Sequence, residues 1–113
     1  MAVMRKFHRV TGRRRAFYKG IAANLILRGR ITTTVERAKE IKPIVERYVT
    51  YAKTGQTAKL RMLVAKLPKA AAEKMFYEIG PKYKTRTGGY LRITKNTAQR
   101  MRDAAKMASI EFV

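Results

Sequence analysis

Clustered arginines and lysines are the side chains in this sequence whose type and spacing could do chemistry. Two stretches, residues 1–35 and 79–102, contain many cations and neither aspartate nor glutamate. Clustered cations bind a polyanion favourably because their contacts with phosphates release condensed counterions. The guanidinium fork of arginine also matches phosphate oxygens. Any single cation could be a solvated surface residue, but the two stretches together predict contact with a nucleic acid.

The candidate contact residues fall into two groups. They are Arg5, Lys6, His8, Arg9, Arg13, Arg14, Arg15 and Lys19 in the first stretch, and Lys82, Lys84, Arg86, Gly88, Gly89, Tyr90, Arg92 and Lys95 in the second. Tyr83 and Tyr90 bracket the turn between them, where a ring could stack on a base or could equally lie in the core. The glycine pair either lets a phosphate approach the backbone or simply forms the turn.

Catalytic and metal-binding chemistry find little support. His8 is the only histidine, and no carboxylate lies near it in the sequence. Cysteine is absent, which excludes thiolate nucleophiles, cysteine-ligated zinc and disulfides. Glu46 with Glu73 or Glu78 could form an acid–base pair, although no motif requires one. We therefore predict no catalytic residue, metal, cofactor or small-molecule substrate.

The composition is that of one basic domain. The chain has 113 residues, a formal net charge of +20 and 46% hydrophobic residues. Chains of this length bury about two thirds of their surface on folding, so a real core is possible. The apolar run at residues 21–27 is shorter than the roughly 20 residues that a membrane span needs, so we predict no membrane partner. The acid-free beginning also resembles an organellar transit peptide, which is the less favoured interpretation.

The predicted elements build an α+β domain, residues 16–113, behind a basic arm, residues 1–15. Apolar periodicity predicts helices at residues 16–28, 35–52, 57–67 and 69–80. Alternating or β-branched residues predict strands at 31–34, 90–95 and 107–113. A small sheet of about three strands would pack against about four helices. Residues 96–106 could form a short helix, but a long hairpin loop is the favoured prediction.

Local signals set expectations at the element boundaries. Thr33 and Glu36 have the spacing of a capping box, and Thr57 is placed to cap the next helix. Pro43 predicts a kink or a local break unless packing overrides the cost, because an interior proline costs a helix about 3 kcal/mol. The Gly-Pro pair at residues 80–81 predicts a helix stop.

Three stretches, in order and at matching spacing, resemble one known family. They read ITTTVERAKEIKPIVERYVTYAK at residues 31–53, FYEIGPKYKTRTGGYLRITK at residues 76–95 and MASIEFV at residues 107–113. All three are similar to the bacterial large-subunit ribosomal protein family numbered seventeen. The likeness covers nearly the whole chain from Phe7.

That resemblance implies a non-enzymatic α+β protein that binds large-subunit ribosomal RNA near the outer end of the peptide exit tunnel, beside neighbouring large-subunit proteins. It implies a cytoplasmic place in the ribosome, with an organellar ribosome less favoured. It also implies a helix that tolerates Pro43 and a hairpin loop at residues 96–106. The sequence departs from the family in its shortened arm. It also has Arg28 where the family commonly has histidine, Arg102 where it usually has glycine and Lys106 where it usually has proline.

Two other classes of function are compatible with parts of the sequence. A DNA-binding, nucleoid-type protein is the main alternative, because duplex DNA would satisfy the same charge. An RNA nuclease that uses carboxylates is the second. The favoured hypothesis is a structural constituent of the large ribosomal subunit that supports assembly and translation, with the basic arm and residues 82–95 on RNA.

Overall fold

The chain folds into helices and a small sheet, as seen in a computed structural model that describes residues 11–99 and 106–113. The elements are α1 (Thr11–Arg28), β1 (Arg30–Thr34), α2 (Val35–Lys53), α3 (Thr57–Lys66), α4 (Lys69–Lys74), a π-helical segment (Met75–Ile79), α5 (Gly80–Lys82), β2 (Leu91–Gln99) and β3 (Lys106–Phe112). The last three helical segments are contiguous and form one rod. The predicted α+β class, with three strands and about four helices, is confirmed.

The three strands form one antiparallel sheet in the order β1-β3-β2. Ile110 of β3 stands between Ile31 of β1 and Ile93 of β2. Because side chains alternate between the two faces of a strand, this row shares one face with Ala108. Ile110 and Ala108 are both 0% exposed, so this face is covered by helices. Strand β1 is an edge strand of the described sheet.

Helix α2 supplies the centre of the core. Its buried residues recur every three or four positions, as predicted, and are Val35, Ala38, Ile41, Val45, Val49 and Ala52. Full burial of one aliphatic side chain of this kind stabilises a fold by about 1.5–3 kcal/mol. The stripe packs against the sheet, α1, α3 and the rod that ends in α5.

Helix α2 continues through Pro43 without a break. The break expected from the proline alone does not form, because packing overrides its cost, and the tolerance implied by the family resemblance is confirmed. Pro43 is exposed, whereas Ile41 and Val45 on either side are fully buried. Burying these two side chains gains about 1.5–3 kcal/mol each, which matches or exceeds the cost of about 3 kcal/mol for the proline.

Two predicted helix caps are corrected by the structure. The side chain of Thr34, not Thr33, caps α2 by accepting the N–H of Arg37 at 3.3 Å. Helix α2 begins at Val35, so Thr34 occupies the cap position and Thr33 lies one residue too early for it. Gln56 occupies the cap position before α3, so Thr57 already lies inside the helix.

Two elements extend further than their patterns predict. Helix α1 begins at Thr11 rather than at residue 16, because arginine is a good helix former even where it clusters. Strand β2 reaches Gln99 with an irregular register after Lys95, so residues 96–99 are strand rather than loop. Strands β2 and β3 are antiparallel neighbours as expected of a hairpin, and residues 100–105 lie outside the described part. No helix in that part is long and apolar enough to cross a membrane.

The Gly-Pro pair does not stop its helix, which corrects the prediction. The N–H of Gly80 bonds to the carbonyl of Met75, five residues back, in a π-helical turn. A regular α-helix would bring the ring of Pro81 against the carbonyl four residues earlier, and a wider turn before it relieves that clash. A Cβ atom on Gly80 would lie 2.7 Å from the carbonyl oxygen of Ala52. Glycine therefore permits close approach to α2 here.

We predict that Gly80→Ala lowers the free energy of unfolding by about 2 kcal/mol or more, because the added methyl group overlaps backbone atoms that have little room to move. Urea denaturation of the full chain measures the change.

Gly20→Ala is the matched control, since Gly20 lies in the interior of helix α1 with no atom within 4 Å of the added Cβ. It should raise the free energy of unfolding by about 0.5–1 kcal/mol. Equal effects of the two substitutions would contradict the role given to Gly80.

Candidate nucleic-acid interface

The clearest group of cations projects from residues 82–90, which we call the basic turn. It joins helix α5 to strand β2. Lys82, Lys84 and Arg86 are all exposed, and the turn contains no acidic residue. The structure therefore presents three of the predicted contact residues together at one surface.

Lys53, the last residue of α2, holds the middle of the basic turn. Its ammonium group donates hydrogen bonds to the carbonyl oxygen of Arg86 and, at 2.7 Å, to the hydroxyl of Tyr90. That hydroxyl donates in turn to the same carbonyl at 3.1 Å. The ammonium nitrogen also lies 5.1 Å from the centre of the Tyr90 ring, a cation–π distance. These hydrogen bonds connect the carbonyl group of Arg86 to helix α2, which forms the centre of the core.

Glu46 fixes the end of the basic turn. Its Oε2 accepts the backbone N–H of Tyr90 at 2.9 Å. A hydrogen bond to an ionised acceptor is stronger than one between neutral groups. Glu46 and Lys53 lie seven residues apart, which is close to two helical turns, so they share one side of α2. The geometry gives Glu46 a structural role at this position.

Tyr83 and Tyr90 lie in the core rather than on the surface. Each is 4% exposed, and their ring centres are 5.3 Å apart. The hydroxyl of Tyr83 donates to the carbonyl of Val113. Burial raises the pKa of Tyr83, and the positive charge of Arg86 offsets part of that rise. Neither ring is free to stack on a base in this conformation, so the part that Tyr90 plays is to hold the turn.

The two glycines shape the turn. Gly88 and Gly89 have φ angles of +153° and +63°, which side chains with a Cβ adopt rarely. The Nε of Arg86 donates to the carbonyl of Gly88 at 3.1 Å, which draws that side chain over the turn. The pair therefore forms the chain reversal that precedes β2.

The remaining predicted contacts in this region do not cluster with the turn. Arg92 donates to Oε1 of Glu111 through Nε at 3.1 Å and Nη2 at 2.9 Å, although its side chain remains 60% exposed. Lys95 is exposed and lies three residues along β2, so it is on the other face of the sheet from Arg92. Part of the charge of Arg92 is thus neutralised within the protein.

The first group of predicted contacts is only partly described. Arg15 and Lys19 are exposed on helix α1. Arg13 and Arg14 belong to the same helix, with side chains outside the described part. Arg5, Lys6, His8 and Arg9 lie outside the described residues altogether. Within the described residues, no three His, Cys, Asp or Glu side chains are grouped so as to hold a metal ion.

Sequence reasoning did not single out the two residues of α2 that position the basic turn. Glu46 contacts a residue 44 positions away, and Lys53 one 37 positions away. The only available signal was that an acid and a cation share one side of the core helix, next to the acid-free stretch. That signal does not identify a partner.

Comparison with known proteins gives one consistent result. A model of the family described as ribosomal protein L17 matches residues 17–113. The chain is 46% identical over 111 residues to the large ribosomal subunit protein bL17 of Persephonella marina, with 96% of this chain and 90% of that protein covered. It is 42% identical to the bL17 protein of Bdellovibrio bacteriovorus, over 97% of this chain but only 61% of the relative's length.

The matched region contains the basic turn and every described element except the first part of α1. It also contains all three stretches on which the family resemblance rests, so that resemblance is confirmed. The family is one of ribosomal structural proteins, not of enzymes. With a family model over most of its length and relatives above 40% identity, this chain belongs to the ribosomal protein L17 family.

Proposed function

We propose that the protein is a structural constituent of the large ribosomal subunit that binds ribosomal RNA. The observation that carries this proposal is the basic turn, which exposes Lys82, Lys84 and Arg86 on a backbone that Glu46 and Lys53 anchor through hydrogen bonds. The relatives are named as large ribosomal subunit proteins, which supports the same assignment. Its partners are large-subunit ribosomal RNA and neighbouring proteins, in cytoplasmic ribosomes, where it supports assembly and translation.

The contacts are mainly to phosphates and to RNA shape. Lysine and arginine neutralise phosphates without reading bases, and the buried tyrosines leave no exposed ring in the turn for stacking. The basic arm, residues 1–15, adds a second group of contacts through Arg5, Lys6, His8, Arg9, Arg13, Arg14 and Arg15, joined by Lys19 of α1. Exposed cations that share a rigid turn lose little conformational freedom on binding.

Anchoring of the basic turn strengthens binding, because a mobile turn would lose conformational entropy when the RNA ordered it. Glu46 and Lys53 fix the backbone around Arg86 and Tyr90 before any ligand is bound. Both are positioning residues in this proposal. The basic turn therefore depends on the integrity of α2.

Removing two cations from the turn tests the RNA contact. We predict that Lys82→Gln with Lys84→Gln weakens binding to large-subunit ribosomal RNA. The slope of log K against log salt should become shallower by about 1 for each phosphate that the variant no longer neutralises. Filter binding at several salt concentrations measures the slope.

Arg61→Gln with Lys66→Gln removes the same charge from exposed positions on α3 and serves as the control. An equal change of slope in both variants would mean that only net charge matters and would refute a specific role of the turn. In competition at one salt concentration, tighter binding to duplex DNA than to ribosomal RNA would favour the nucleoid-type alternative.

Glu46→Ala should free the start of β2, because the N–H of Tyr90 loses its charged acceptor in a part-buried site. We predict a loss of about 1–3 kcal/mol in the free energy of unfolding. The amide of Tyr90 should also exchange its hydrogen faster in native-state exchange followed by NMR.

Glu46→Gln keeps an oxygen acceptor at the same place and should lose less stability. Unchanged exchange at Tyr90 in Glu46→Ala would contradict the anchoring role. RNA cleavage by the unsubstituted protein that Glu46→Gln abolishes would instead favour the nuclease alternative.

A further inference from the structure

A groove separates the C-terminal half of α1 from the edge strand β1. Its volume is about 580 Å³, and its lining includes Asn24, Arg28, Arg30 and Thr32. None of these residues belongs to the basic arm or the basic turn. No acidic residue is among the described side chains that line it.

The junction between helix α1 and strand β1 places two arginines, Arg28 and Arg30, at this groove. Asn24 and Arg28 lie four residues apart, so they share one face of the helix. Gly29 then takes a φ angle of +80°, and its N–H bonds to the carbonyl of Leu25 at 2.7 Å, which ends the helix. This reversal returns the chain along the same groove, so Arg30 lines it as well.

Both arginines are available to a ligand. Arg28 and Arg30 are exposed, and neither forms an ion pair with a residue in the described part of the chain. The guanidinium of Arg30 donates a long hydrogen bond of 3.4 Å to the hydroxyl of Ser109. Its cross-strand neighbour, Glu111, already accepts two hydrogen bonds from Arg92. Within the described part of the chain, therefore, neither of these two guanidinium groups is paired with a carboxylate.

The edge of β1 adds backbone groups. Hydrogen-bonded and non-bonded residue pairs alternate along an antiparallel ladder. The carbonyl oxygen of Gly29 accepts the N–H of Phe112 at 3.2 Å. The residues of β1 that are hydrogen-bonded to β3 are therefore the odd-numbered ones, Ile31 and Thr33. The N–H and carbonyl groups of Arg30 and Thr32 consequently point away from β3. These backbone groups provide donors and acceptors on the open side of the strand, whereas the hydroxyl of Thr32 lies 3.3 Å from that of Ser109 on β3 and is hydrogen-bonded there.

We propose that this groove is a second RNA subsite, which holds the backbone of an unpaired RNA segment with a phosphate between Arg28 and Arg30. The side chain of Asn24 and the outward backbone groups of Arg30 and Thr32 are placed to bond the ribose hydroxyls of that segment. The inference rests on the proposed function, and it adds a contact that neither the arm nor the basic turn supplies. A volume of this order accommodates a ligand of nucleotide size but not a duplex.

An extended peptide is the other class of occupant that an edge strand attracts. The charge favours RNA, because a single strand offers a phosphate at every nucleotide whereas a peptide must be unusually acidic to match two adjacent guanidinium groups. The net charge of +20 also repels basic proteins.

A titration of the full, ¹⁵N-labelled chain with a single-stranded uridine decamer, followed by NMR, tests the proposal directly. We expect chemical-shift changes at the amides of residues 28–33 and at the side-chain Nε of Arg28 and Arg30. Arg28→Gln with Arg30→Gln should weaken binding of the decamer. Because the phosphate between the two arginines is then no longer neutralised, the salt slope should become shallower by about 0.7.

The control is again Arg61→Gln with Lys66→Gln on α3, which should leave the slope nearly unchanged. Thermal unfolding of each variant checks that the exposed substitutions preserve the fold, and the titration of the unsubstituted chain does not depend on them.

The possible failures are distinguishable. If the unsubstituted chain binds neither the decamer nor ribosomal RNA, the proposed function itself fails. If it binds RNA while residues 28–33 do not shift and the two double variants have equal slopes, only the groove is refuted. Tighter binding of a glutamate decamer than of the uridine decamer at residues 28–33 would overturn the RNA subsite in favour of a protein partner.

Discussion

A net charge of +20 on 113 residues opposes compaction, and the apolar stripe of helix α2 is the interaction that outweighs it. Ile41, Val45 and Val49 are each 0% exposed and lie at the centre of the core. All three strands and the neighbouring helices pack against this helix. The fold thereby holds its cations at the surface, while the charge remains available to an anionic partner.

The same helix links stability to function. Its apolar side builds the core, and another side carries Glu46 and Lys53, which tie down the basic turn. Such hydrogen bonds are strong because they involve charged groups in part-buried surroundings. A substitution that displaced α2 would therefore disturb the RNA surface as well as the core. The close contact at Gly80 extends this dependence to the rod that leads into the turn.

Local periodicity was sufficient to predict the elements that bury one continuous stripe or alternate in exposure. The stripe of α2 and the β-branched strand before it are of this kind. Periodicity failed where a distant contact decides the outcome. A π-helical turn carries the helix through Gly80 and Pro81, with Gly80 packed closely against Ala52, and the break expected at Pro43 is overridden by burial of its neighbours. Tyr90, a candidate for stacking on a base, lies in the core instead.

The sequence was sufficient to predict which stretch carries the cations of the candidate interface. It was not sufficient to predict which of those cations lie together at the surface. Lys82, Lys84 and Arg86 lie together as their spacing indicates, whereas Arg92 is drawn to Glu111 by cross-strand register. The groove beside Arg28 could not be foreseen, since it depends on how α1 and β1 meet.

The central claim is that the excess lysines and arginines of this fold bind ribosomal RNA within the large subunit. Sedimentation of a cell extract through a sucrose gradient, with the chain detected by antibody in each fraction, tests this most directly. We predict that the protein sediments with large subunits, withstands a moderate salt wash and is released as salt is raised further. Recovery of the protein as a free monomer, without nucleic acid, at physiological ionic strength would contradict the claim.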